Sequence, residues 1–181
     1  MSLPITCPTG CDSVLPFASV DLCSPEIHFG EIQRIFFTNP GNPLVNVEDV
    51  NEWLSRLSNT STDDNAIRYL YVSGDLAEPE KQETIISLDR KKYSPGEYTL
   101  NFDLQETNDI NYNLLRTLHC NLDHLFWYAT ESHIYGGAEG ITGQMIMNSI
   151  IEKGAQSLQV FKGTVKFKLA TPPARSLNVL V

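Results

Sequence analysis

Residues Tyr98–Asn121, YTLNFDLQETNDINYNLLRTLHCN, decide how the chain is read. Tyr98, Leu100, Phe102 and Leu104 alternate with Thr99, Asn101 and Asp103, the period-two pattern of a strand with one buried face. A polar turn follows, and then Ile110, Leu114, Leu115 and Leu118 recur at the spacing of one helical face. Asn108 stands where an N-cap accepts a backbone N–H. Thr164–Leu169, rich in lysine, repeats the strand pattern. A sheet carrying a helix is therefore expected, and nothing in this segment resembles catalytic machinery.

Outward from this segment the chain keeps inserting helices between strands. Glu31–Thr38, EIQRIFFT, reads as a strand ended by the turn-rich Asn39–Pro43. Val47, Val50, Trp53, Leu54 and Leu57 mark a helix over 47–57, with Asn46 as its cap and Asp49 at the capping-box position. The second helix spans 109–119. Ala66–Ser73 and Thr84–Leu88 are further strands, and DRKKYSPGE turns the chain into Tyr98. His124–Thr130 is an aromatic strand with Ser132–Tyr135 as its hairpin partner. Within it, Phe126 and Tyr128 share one face and Trp127 takes the other. Gln144–Glu152 and Leu158–Leu169 form a long antiparallel pair, whose change of phase near Phe161–Gly163 suggests a β-bulge. The sum is an α+β domain over 29–170, a mainly antiparallel β-sandwich or barrel with one or two flanking helices. Residues 1–28, with Pro4, Pro8, Pro16 and Pro25, read as an extended arm, lying on its own domain or across a neighbour. Residues 171–181 read as a C-terminal tail, peripheral or docked on a neighbour.

Composition narrows the function classes. Hydrophobic residues make up 41% of the 181 and charged residues only 19%, less than the quarter usual for a monomer. The formal charge is −9, yet residues 151–181 hold five basic side chains against Glu152 alone, a net +4 that leaves −13 elsewhere. An acidic bulk does not bind phosphates but suits a passage that nucleic acid slides through. The basic end suits one side of a subunit contact. No stretch reaches 18 apolar residues, and the N-terminus lacks the basic and apolar regions of a secretory signal, so no membrane span and synthesis in a reducing cytoplasm are expected.

Three groupings invite chemistry. Cys7, Cys11, Cys23 and His28 are ligand types for zinc, but their spacing fits no zinc knuckle and prolines intervene; they are weak metal candidates. His119, Cys120, Asp123, His124, Glu131 and His133 collect acid–base types, although His119 and His124 are five apart and cannot share a helix face as an i,i+4 metal pair does. Tyr135–Gly143 has four glycines, but no Gly-Lys-Ser/Thr follows and it leads into a strand, so it reads as a hairpin loop and not a phosphate cradle. No catalytic, cofactor-binding or metal residue is assigned, and no cofactor is expected.

GEIQRIFFT, VNEWLSRLSNTS, AIRYLYVSGDL, DLQETNDINYNLLRTL, LFWYAT and YGGAEGITG, in that order over residues 29–169, resemble virion structural proteins of tailed phages and prophages of Bacteroidetes hosts, including crAss-like phages. The strand–helix–long-hairpin order is also similar to the tail-tube fold. The resemblance implies a non-enzymatic, ring-forming tail, tube or neck subunit. It would occur in the virion, with other copies and other virion proteins as partners, around DNA that passes without sequence-specific binding. Two alternatives come from other classes: a carbohydrate- or host-binding head or fibre module, and a small hydrolase or nuclease using the His119–His133 residues.

Overall fold

The computed structural model describes residues 30–61, 63–80, 83–87, 90–93, 96–104, 106–120, 123–148 and 160–180. Among them are ten strands, β1 (Ile32–Thr38), β2 (Arg68–Glu80), β3 (Glu83–Ser87), β4 (Arg90–Tyr93), β5 (Gly96–Leu104), β6 (His124–Ala129), β7 (His133–Tyr135), β8 (Ile141–Asn148), β9 (Phe161–Leu169) and β10 (Arg175–Leu177). Two helices, α1 (Val50–Leu57) and α2 (Asp109–Cys120), complete the set. Six strands pair in a closed circuit, β1-β2-β5-β9-β8-β6 and back to β1, with every neighbour antiparallel. The molecule is thus mostly antiparallel β, a six-stranded barrel with two helices, in line with the α+β expectation. Closure removes the open edges a flat sheet would expose.

The side-chain alternation explains the core. Ile35, Leu70, Leu100, Phe102, Phe126, Met145, Val165 and Phe167 point into the barrel and are buried together. On β6, Phe126 and Tyr128 join this interior while Trp127 joins a second cluster outside the wall. That outer cluster holds Phe36, Leu44, Val47, Trp53 and Ile67, so β1 and β6 are covered on both faces. The second edge of β6 is shared: His124–Phe126 pair with β8, Tyr128 and Ala129 with β7. From there β7 leads to β10, and Val179 and Leu180 pack against the outer cluster. The C-terminal residues therefore dock on their own barrel.

Helix α2 begins as the sequence predicts, with the Asn108 side chain accepting from the Asn111 N–H at 2.8 Å. Leu115 and Leu118 reach the core. Ile110 does not; it is 79% exposed, and in its turn the contact with the barrel is made by Tyr112, whose ring lies 5.6 Å from Phe161. Where β8 runs beyond the start of β6, α2 covers its edge, and His119 Nδ1 accepts from the Met147 N–H at 3.2 Å. This arrangement satisfies a strand amide that lacks a neighbouring strand.

Helix α1 departs from the sequence reading. Asp49, not Asn46, is its N-cap, accepting from Asn51 N–H at 2.9 Å. Glu52, three residues on, turns back to accept from the Val45 and Asn46 N–H groups at 2.9 and 3.0 Å. The buried face carries Trp53 and Arg56, whereas Val50 and Leu54 are exposed. Burial of a guanidinium in place of a leucine follows from its partners. Arg56 donates to the carbonyls of Asn65 at 2.8 Å, Pro43 at 2.9 Å and Asn42 at 2.6 Å, and sits 3.6 Å from Glu52. Burial lowers its pKa, and the nearby Glu52 carboxylate opposes that shift. One planar fork thereby ties the loops on either side of α1 together. Arg56→Met is expected to destabilise the fold by about 3 kcal/mol, since three carbonyls lose their donor and Glu52 its counter-charge. Urea denaturation checks it; a change below about 0.5 kcal/mol would show that the fork contributes nothing.

Candidate functional site

The described residues singled out by sequence fall at two separate places. Cys7, Cys11, Cys23 and His28 lie outside the described residues. His119, Cys120, Asp123 and His124 gather where α2 ends and β6 begins, whereas Glu131 and His133 follow the far end of β6. Five strand steps separate His124 from Ala129, roughly 17 Å. His133 Nδ1 lies 2.8 Å from Ser132 Oγ, and Cys120 is an exposed thiol. Among the described residues no three His, Cys, Asp or Glu side chains are grouped to hold a metal ion.

The glycine-rich loop has a packing role. Gly136 and Gly140 adopt positive φ, and a Cβ on either would come within 2.6 and 2.8 Å of the Trp127 ring. The Trp127 indole N–H donates to the Gly137 carbonyl at 2.7 Å. The loop is thus wrapped over one tryptophan, a contact that only residues without a side chain permit.

Two features outside the barrel core stand out among the described residues. The first is the wall formed by β2, β5, β9 and β8, which neither helix covers with an apolar layer. Its outward residues align in rows across the strands: Asp75–Asn101–Thr164–Ile146, and Ala77–Thr99–Lys166–Gln144. Thr164 Oγ1 donates to Asn101 Oδ1 at 3.2 Å, and Lys168 Nζ is 3.4 Å from Glu97. Lys162 and Lys166 form no ion pair among the described residues. The wall offers donors, acceptors and charges on a stiff frame. The alternation in β5 and β9 shows these side chains in the sequence, but only closure of the barrel reveals that they share one surface.

The second feature is the ribbon made by β3 and β4. These strands form their own two-stranded sheet, paired antiparallel with Glu83 opposite Tyr93 and Thr84 opposite Lys92. They interrupt the connection between β2 and β5, and neither pairs with a barrel strand among the described residues. An isolated two-stranded hairpin is marginally stable in water, so such a ribbon gains from a surface to lie on. The sequence reading took DRKKYSPGE for a turn and missed β4, because three consecutive basic residues have low strand propensity. The surviving signal is the two-residue spacing between Ser87 and Arg90, the length of a tight hairpin loop. Beside the ribbon, β2 runs on to Glu80 although β1 leaves it after Gly74.

No helix among the described residues is long and apolar enough to cross a membrane. Set against known proteins, the chain matches no family model and no curated protein.

Proposed function

We propose that the protein is a structural subunit of a tailed-phage virion, joining copies of itself into a ring of the tail, tube or neck around the DNA conduit. The observation that carries this reading is the β3–β4 ribbon, a two-stranded element paired only with itself among the described residues. Its strand Arg90–Tyr93, RKKY, is basic in a chain of net charge −9. A basic strand on one side of a subunit and an acidic surface on the next make a heterologous contact, the type that closes into rings. The polar wall from β2 to β8 supplies further contact area. The resemblance of residues 29–169 to phage virion proteins supports the same reading, as does the acidic bulk, which would repel phosphate and let DNA slide.

The test replaces residues 81–96 with an Asn-Gly turn joining β2 to β5, whose ends already face each other at Glu80 and Glu97. Light scattering and negative-stain imaging then compare this variant with the full chain over a concentration range. Rings from the full chain, and monomers with unchanged circular dichroism from the variant, are the expected result. A full chain that stays monomeric at high concentration would count against the ring. A variant that assembles normally would remove the ribbon as its contact.

A further inference from the structure

One strip of the barrel exterior is apolar, and it lies where α1 crosses the start of β2, the strand whose later residues Asp75 and Ala77 begin the polar rows. Leu54 on α1 is 54% exposed, and Tyr69 and Tyr71 on β2 are 45% and 58% exposed. With Arg34, Leu57 and Leu180 they line a cavity of about 320 Å³. Val50, one turn before Leu54, extends the surface. The walls are held in place. The two tyrosine rings meet edge to face at 5.4 Å. The Arg34 guanidinium lies 5.2 Å over the Tyr71 ring and donates to the Leu180 carbonyl at 2.8 Å. Exposed tyrosine and arginine side by side is the composition of a protein-contact hot spot.

The occupant is indicated by what precedes the described chain. Residues 1–29 enter at Gly30, four positions before Arg34. They contain Pro4, Pro8, Pro16 and Pro25, the apolar run Val14-Leu15-Pro16-Phe17, and no lysine or arginine. Asp12, Asp21 and Glu26 make them acidic, which complements Arg34. Proline-containing segments bind well between tyrosine rings, because the proline ring packs on an aromatic face and little chain entropy is lost. Phe17 is thirteen residues from Gly30, a reach of up to about 43 Å, ample to arrive at a groove whose wall is β1 itself. A tether this short holds the segment at about millimolar effective concentration. We propose that the groove between α1 and β2 is the docking site of the chain's own N-terminal segment, with Leu15-Pro16-Phe17 seated against Tyr69 and Tyr71 in the same copy.

Hydrogen exchange of the full chain, read by mass spectrometry, tests this independently of ring formation. Amides near residues 12–20 are expected to exchange about tenfold or more slowly than in an unstructured chain. Leu54→Asn/Tyr71→Asn should abolish that protection while leaving the barrel strands unchanged, since both side chains are more than half exposed. Phe17→Ser should do the same, and adding it to the groove variant should change nothing further. Free exchange in the wild type, or protection that survives the groove substitutions, would overturn the proposal. Protection that disappears on dilution would assign the groove to a second copy and overturn it as well.

Discussion

Trp53→Ala is expected to lower the unfolding free energy by about 4 kcal/mol, within the range for truncating a buried aromatic. Trp53 has no exposed surface, and its ring lies 5.0 Å from Phe36 and 5.6 Å edge-on from Trp127. Its indole N–H donates to the Val47 carbonyl at 2.8 Å. Truncation therefore opens a cavity between α1 and the barrel and also leaves a buried carbonyl without its donor. Against a total stability of about 5–15 kcal/mol, the loss moves the urea midpoint far down. A spectroscopic readout separates packing from stability. Trp53 and Trp127 are the only tryptophans of the chain, and both are buried. Trp53→Phe should keep much of the stability yet lose the near-ultraviolet dichroism of the coupled pair. A drop below about 1 kcal/mol for Trp53→Ala would mean that α1 rests on the barrel without forming part of its core.

The elements legible in the sequence are those whose pattern is local. The alternation of Tyr98–Leu104 and the Asn108 cap carry their own signal, and both are found as read. So does the split of Phe126 and Tyr128 from Trp127, since a strand has only two faces. What escaped depends on contacts far apart in the chain. Pairing of β1 with β6 closes the barrel, yet it joins residues about ninety positions apart that share no motif. Phe36 and Phe37 are consecutive and both buried, which requires a layer on each face of β1 that the strand pattern does not name. Helix α1 is rotated from its apolar stripe because Arg56 finds carbonyls in two loops, and those partners are invisible to periodicity. The same holds for the candidate site. Lysines on β9 and polar residues on β5 are plain in the sequence, but their joining in one wall is a property of the closed circuit.

Gly163→Val is expected to destabilise the protein by about 3 kcal/mol, although strand propensity alone favours valine over glycine by up to about 1 kcal/mol. The sequence reading placed a β-bulge near Phe161–Gly163. Instead β9 pairs with β5 without a break from Phe161 to Leu169, and Phe161, Gly163, Val165 and Phe167 all face inward. The apparent change of phase came from Leu158, which lies outside the described residues, and from Val160, which precedes the strand. Gly163 is there for room. A Cβ at this position would come within 2.7 Å of Phe102 Cε1 and 2.9 Å of Met145 Cε. Phe102 is 2% exposed and flanked by barrel strands, so its ring has little space to withdraw. Gly163 is the register partner of Phe102 on the neighbouring strand, so the phenylalanine ring lies over it and uses the space a side chain there would need. Phe102→Leu combined with Gly163→Val should therefore recover part of the loss, giving a coupling of about 1–2 kcal/mol in a double-mutant cycle. If the two substitutions added independently, or if Gly163→Val stabilised the protein, the Phe102 ring would not be using that space, and strand propensity would account for position 163.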